Sequence, residues 1–341
     1  MTPKLSVCIA TLNRGAFIGA TLDSIISQAT DDVEIVVVDG ASTDNTPDVV
    51  QSYQQRFPRL NYIRLPQKGG VDKDYDRTVA AATGDYCWLM SDDDLLKPGA
   101  IAAVLAAAQH DYDLIVVNAE VRGPDMIEVV EPSRLTHKTD RVYPPAETHQ
   151  LMADTAMYMS FIGCVVIKRA IWLAREREKY YGYEFIHMGV IYQRPLPGAA
   201  YVIAHPYIII RHGNAQWTSR YFKIWMFNWP ELIWSFPDYP PAVKRQVVPQ
   251  DPWKSLKILL ILKAKGSLSP KDYDLFLKER LTPRWKNQLV KLIAHTPGCL
   301  INLPVIVYFK LRRSSQLYGI REFRDSPYYW RNCLRRCLRR S

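Results

Sequence analysis

Apolar and polar positions along the first 118 residues follow two rhythms. The runs LSVCIA (5–10), VEIVVVD (33–39), NYIRL (61–65), DYCWLM (85–90) and DLIVVN (113–118) are short, apolar and β-branched, the signature of strands. Between them, AFIGATLDSIISQA, TPDVVQSYQQRF, DKDYDRTVAAAT and PGAIAAVLAAAQ repeat apolar residues at helical spacing. Strand alternating with helix predicts a mostly parallel sheet covered on both faces, because each parallel crossover needs a helix. Ligands bind beyond the carboxyl ends of the strands in such sheets. This chain puts polar residues there: Thr11, Asn13 and Arg14 follow the first run, Asp39 ends the second, and Asp92, Asp93 and Asp94 follow the fourth.

From 119 to 220 the signal weakens to a helix-like segment near 146–158, the run FIGCVVI, and then YEFIHMGVIYQRPL and YVIAHPYIIIRHGNAQW. From 221 onward the pattern is helical, opening on YFKIWMFNWPELIW and closing on a basic tail. A chain of 341 residues, 48% of them hydrophobic, can build one large or two modest cored domains, which excludes disordered and fibrous classes.

The net charge of +10 is concentrated at one end: from residue 284 onward there are 13 Lys and Arg against 2 Asp and Glu, so the first 283 residues are nearly neutral. The six cysteines (Cys8, Cys87, Cys164, Cys299, Cys333, Cys337) show neither a CxxC pair nor zinc-ligand spacing, which fits a reducing cytoplasm. MTPKLSVCIATLNR enters a strand pattern at once, without signal-peptide form, and no run of about 18 apolar residues marks a spanning helix. The expectation is a chain that is soluble or lies on a membrane without crossing it.

The segment CWLMSDDDLLK ends an apolar strand in three aspartates. Asp94 before LLKPGAIAAVL suits a helix cap. One cap needs one carboxylate, and the remaining like charges repel. A divalent, oxygen-preferring cation removes that conflict, and Mg²⁺ takes one or two protein carboxylates and fills its shell with substrate phosphates. The triplet therefore points to a metal-bound diphosphate.

In order, VCIATLNR, VVVDGASTDNT and ATGDYCWLMSDDD resemble the donor-binding half of family 2 glycosyltransferases, across about the first 110 residues. The resemblance implies an α/β GT-A fold: a Rossmann-like, mostly parallel sheet with helices on both faces, followed by a C-terminal helical region. Residues 1–118 become the nucleotide-sugar half, 119–220 the acceptor half, and 221–341 a basic, membrane-associated region. WLMSDDD and the later FIHMGVI look most like bacterial O-antigen transferases related to abequosyltransferases, which use nucleotide-activated deoxy sugars. Carried over by position, Asp39 accepts from a pyrimidine ring or is a turn aspartate, with Thr11, Asn13, Arg14 and Ser42 around the nucleotide. Asp92 faces ribose or sugar, and Asp93, with Asp94, holds Mg²⁺ or Mn²⁺. The chain departs from the family's usual form before the fourth strand, where KGGVDKDYDRTVAAATGDY offers Asp72, Asp74 and Arg77. Asp74 and Arg77 fit either an i,i+3 ion pair on a solvated face or donor contact.

Inverting members of the family place a carboxylate base in the stretch that here reads YEFIHMGVIYQR, which makes His187 and Glu184 the alternatives for catalysis, beside a structural role for both. RHGNAQWTSR offers His212 as a metal ligand, Arg211 as a diphosphate partner and Trp217 as a sugar platform, or a surface turn. YYWRNCLRRCLRR spaces Trp330, Leu334, Cys337 and Leu338 as an interfacial amphipathic helix for an anionic membrane, suited to a polyprenyl-diphosphate-linked saccharide acceptor. Nucleic acid is not an expected partner, since no reader motif accompanies the charge. Competing readings are a nucleotidyltransferase that makes an activated sugar and a non-catalytic nucleotide-sugar binder. No GxGxxG or GxxxxGK[ST] loop is present, which weakens dehydrogenase and ATPase readings.

Overall fold

A computed structural model describes residues 2–214, 216, 218–311, 323, 324, 326, 328 and 329. The chain divides into two compact units, one of residues 1–214 with 234–247, the other of 215–233 with 248–341.

The first unit is built on a ten-stranded mixed sheet. Its strands are β1 (Leu5–Thr11), β2 (Val33–Asp39), β3 (Leu60–Arg64), β4 (Tyr86–Met90), β5 (Leu95–Leu96), β6 (Leu114–Arg122), β7 (Val129–Glu131), β8 (Arg141–Tyr143), β9 (Val165–Lys168) and β10 (Ala200–Arg211). The spatial order is β3-β2-β1-β4-β9-β6-β10-β5, with β7 beside β6 and β8 beside β10. Parallel pairing joins β3, β2, β1 and β4, as the alternating pattern predicts. The crossovers are α1 (Ile18–Ile26), α2 (Thr46–Arg56) and α3 (Val71–Ala81), while α4 (Ala100–Ala108) leads from β5 to β6. In α1 the buried Ile18, Thr21, Leu22 and Ile25 recur at three and four positions, so one stripe faces the sheet.

The structure adds one feature to the predicted sheet. β9 lies between β4 and β6 and runs antiparallel to both. Three further helices, α5 (Thr148–Met159), α6 (Arg169–Leu173) and α7 (Ile186–Tyr192), belong to this half. FIGCVVI thus becomes a central strand, with Val165, Val166 and Ile167 fully buried.

The second unit is helical. Phe222, Met226, Leu259, Leu262, Leu268, Tyr273, Leu277, Leu281, Val290, Ile293 and Ala294 form its core. Among the described residues no single helix is long and apolar enough to cross a membrane.

Candidate active site

Register places the predicted residues at one edge of the sheet. Thr11 pairs with Asp39 across β1 and β2, and Ile9 pairs with Met90 across β1 and β4, so all three strands end side by side. The aspartate tip is a tight turn between β4 and β5, and it is tied down from three sides. Thr21 of α1 donates to the Asp94 carbonyl at 2.8 Å, Tyr75 of α3 donates to the Met90 carbonyl at 3.1 Å, and β5 pairs with Ile208 and Ile209 of β10.

The three aspartates have separate environments. Asp94 is buried: its Oδ1 accepts the Arg211 backbone N–H at 2.8 Å and its Oδ2 accepts the Ser91 hydroxyl. Each Asp94 oxygen thus already helps to brace the turn, which leaves Asp92 and Asp93 the freer carboxylates of the triplet. Asp92 and Asp93 share Arg14, whose Nε lies 3.3 Å from Asp92 Oδ1 and whose Nη2 lies 3.5 Å from Asp93 Oδ2. Burial, with repulsion from Asp93, pushes the Asp92 carboxyl up to about 7 against the opposing pull of Arg14. Burial also raises Asp93, held in check chiefly by Arg14. Arg14 and, for Asp93, Arg211 oppose the effect of burial without cancelling it.

That charge state bears on metal binding. Among the described residues no group of three or more His, Cys, Asp or Glu is arranged to hold an ion. The donor set fits a cation of the kind that takes one or two carboxylates and completes its shell from phosphate oxygens. Asp93, the more exposed of the triplet, and Asp92 beside it are the carboxylates that would serve such a cation.

Other predicted residues serve the loops. Asp39 is fully buried, its Oδ1 accepting the Ser42 N–H and its Oδ2 the Tyr62 hydroxyl, both at 2.7 Å. A carboxylate with two bonds still has acceptor capacity. The Ser42 hydroxyl accepts the Asn13 N–H at 2.8 Å and Asn13 Oδ1 accepts the Thr43 N–H at 2.7 Å, so these two side chains lace the loops after β1 and β2 together. Asp74 and Arg77 form an ion pair at 3.2 Å, but Asp74 is buried and only Arg77 is open to solvent. Asp74 also sits against the β2 loop, for a Cβ at Gly40 would meet its Oδ2 at 2.9 Å. Arg211 donates from Nε to the Asp93 carbonyl at 3.1 Å and from Nη1 to the Pro124 carbonyl at 2.8 Å, and it shares the Phe17 ring with Arg14. Trp217 lies outside the described residues.

Asp72 is corrected from donor contact to a loop anchor. Its Oδ2 accepts the N–H groups of Gly182 and Glu184 at 2.8 and 2.9 Å, and its Oδ1 accepts that of Ile186 at 3.0 Å. The loop needs such an anchor because Gly182 and Glu184 have positive φ, 93° and 69°. For a glutamate that conformation is costly. Because the chain leaves β3 at the binding edge and returns along α3, the start of α3, Asp72 included, stands at that edge.

His187 is also corrected. It is 1% exposed, and its Nε2 donates to the Met159 carbonyl at 2.7 Å. The basic nitrogen is therefore Nδ1, which is buried without a hydrogen-bond partner. Burial drives the imidazole down to about 4. A base must meet the acceptor's proton, and this one faces the protein interior. Glu184, partly exposed, remains.

Sequence reasoning missed Thr21 and Tyr75, which pin the tip, and Glu120, a buried acid on β6 that pairs with Lys97 and, at 2.6 Å, with Arg122. The pairings of Thr21, Tyr75 and Lys97, across 73, 15 and 23 residues, leave no local pattern.

A model of the glycosyl transferase family 2 matches residues 6–171. The abequosyltransferase RfbV of Salmonella typhimurium is 26% identical over 230 residues, 63% of this chain and 69% of that protein. The GalNAc(5)-diNAcBac-PP-undecaprenol beta-1,3-glucosyltransferase of Campylobacter jejuni is 33% identical over 127 residues, 37% of this chain and 39% of that one. In fold, the chain superposes on S. aureus TarS 1-349 in complex with UDP with a TM-score of 0.55 at 18% identity, covering 94% of this chain and 90% of that one. The mannosyltransferase PcManGT of Pyrobaculum calidifontis, in complex with GDP-Man and Mn²⁺, gives 0.52 at 15% identity, with 97% and 88% covered. Motifs, strand-end geometry and family match agree, and they set aside the nucleotidyltransferase and pure-binder readings: residues 6–171, just under half of the chain, form a glycosyl transferase family 2 domain, and the protein is a glycosyltransferase with a GT-A-like fold.

Proposed function

We propose that this enzyme moves a sugar, a deoxyhexose in the abequosyltransferase-like case, from a nucleoside diphosphate donor to a saccharide acceptor carried on a polyprenyl diphosphate. The setting is surface polysaccharide synthesis of O-antigen type at the cytoplasmic face of the membrane. The observation that carries this reading is the meeting of Asp92, Asp93 and Arg14 beyond adjacent parallel strand ends, an under-neutralised acidic tip with two arginines at its rim. Support for the donor comes from the UDP and GDP-Man in the related structures, and for the acceptor from the name of the Campylobacter relative.

Asp39 reads the base edge, with Thr11 and Asp74 beside it, while residues 1–118 serve the donor and 119–220 the acceptor. Asp93, with Asp92, would hold Mg²⁺ or Mn²⁺, which supplies positive charge against the diphosphate as it departs. Arg14 adds a second, fixed positive charge. The acceptor oxygen attacks the anomeric carbon as the bond to the diphosphate oxygen breaks, and Glu184 takes the acceptor's proton. Attack opposite the leaving group inverts the anomeric centre.

A thermal-shift panel of nucleotide sugars with and without Mn²⁺ tests the donor side. One nucleoside diphosphate sugar should raise the melting temperature by several degrees, as ligand in excess of Kd stabilises by RT ln(1 + [L]/Kd), about 2.7 kcal/mol at a hundredfold excess, and more so with the metal present. A panel in which no nucleotide sugar shifts the transition would contradict the reading.

A further inference from the structure

Two consecutive helices of the second unit, Arg284–His295 and Gly298–Leu311, leave large apolar side chains in solvent. On the later helix Leu300, Leu303, Val307 and Leu311 recur at three and four positions and are 46–79% exposed, while Gly298, Asn302 and Ile306 on the opposite side are buried. On the earlier helix Trp285, Leu289 and Leu292 repeat the arrangement, with Val290, Ile293 and Ala294 in the core. Among the described residues, eight of the fifteen exposed large hydrophobic side chains fall in this one stretch, so these rows are not scattered surface apolars.

Charge decides what would cover them. From Arg284 to Leu311 the sequence contains no Asp or Glu, but it has Arg284, Lys286, Lys291 and Lys310, and residues 312–341 continue with nine arginines against two acids. Lys257 adds a cation 5.9 Å from the Tyr308 ring. Apolar rows edged by cations, with Trp285 and Tyr308 among them, match the acyl boundary of an anionic bilayer, where lipid tails take the leucines and headgroups the lysines. The two helices meet at 101°, and neither alone is long enough to span.

We infer that these rows seat the enzyme on an anionic lipid surface, as an in-plane docking element distinct from the basic sequence at 326–341, whose expected helix (Trp330, Leu334, Cys337, Leu338) lies outside the described residues. This seating rests on the membrane location proposed above; the transfer chemistry does not depend on it.

The test uses the full chain and sedimentation with vesicles of phosphatidylcholine alone or mixed equally with phosphatidylglycerol. Binding to the mixed vesicles should be on the order of tenfold tighter. Leu300→Glu combined with Leu303→Glu and Val307→Glu should weaken it by at least about tenfold, while the nucleotide-sugar thermal shift stays as in the parent. A chain lacking residues 326–341 should keep measurable binding. In the unmodified chain, brominated acyl chains should quench tryptophan fluorescence, and Trp285→Phe should reduce that quenching. Unchanged partitioning of the triple variant, quenching indifferent to Trp285, or a lipid-free dimer that the triple variant converts to monomer would each overturn the inference, the last by making the rows a contact between copies. Loss of the nucleotide-sugar shift in the parent chain would strike the donor reading alone.

Discussion

His187 shows at the scale of one residue how burial sets chemistry. The imidazole is neutral inside the fold, with a value near 4, and unfolding returns it to an ordinary value of about 6.5. Between those values the unfolded chain binds the extra proton, so His187 leaves stability untouched above about 6.5 and withdraws it as pH falls through about 4. The withdrawal reaches about 3 kcal/mol, accumulating at no more than about 1.4 kcal/mol per pH unit. His187→Gln keeps a donor for the Met159 carbonyl and cannot titrate. Denaturant unfolding of both proteins from pH 7 to 4 should show the variant gaining on the parent as acid is added. A constant difference across that range would refute the buried, neutral assignment.

Elements that sequence periodicity announces are those whose apolar faces meet the sheet. β1 to β4 and α1 to α4 were legible because Ile9, Val37, Leu22 and Val79 belong to regular buried stripes. The antiparallel β9 was not, since FIGCVVI carries no sign of which strands it will join. Candidate site residues divide in the same way. Asp92 and Asp93 stood out because three adjacent carboxylates need an electrostatic reason. The anchoring roles of Asp94 and Asp72 were hidden, because their partners are backbone N–H groups 110 to 117 residues away. Asp72 holds the segment leading into α7 through three such bonds. Asp72→Ala removes them together and strands the buried Ile186 N–H, at a cost of about 1–3 kcal/mol, with a smaller cost for the partly buried Gly182 and Glu184 N–H groups. The transfer rate should fall by roughly tenfold or more because Glu184 loses its backbone brace, while donor affinity changes little. Asp72→Glu, a carboxylate on a longer stem, should restore part of that rate. Equal losses in donor binding and rate would mean that Asp72 supports the whole site rather than the base loop.

At the scale of the molecule the enzyme separates two electrostatic tasks. Residues 1–283 are nearly neutral overall and concentrate acid at the β4 tip, whereas residues 284–341 are basic and carry the exposed apolar rows. An acidic tip is a poor place for a diphosphate unless cations come with it, and a basic apolar surface has no evident use in bulk water. Both become intelligible if a charged donor meets a lipid-borne acceptor. The central claim is that Asp93 works on the diphosphate while its neighbour Asp94 only braces the turn. The most direct measurement is nucleoside diphosphate release on acceptor addition by the parent, Asp93→Asn and Asp94→Asn enzymes, each matched with its unfolding transition. Asp93→Asn should melt like the parent and lose at least about a hundredfold in rate, a loss of charge stabilisation in the transition state, whereas Asp94→Asn should melt earlier and lose rate in step with its stability. Full activity in a folded Asp93→Asn enzyme would contradict the account.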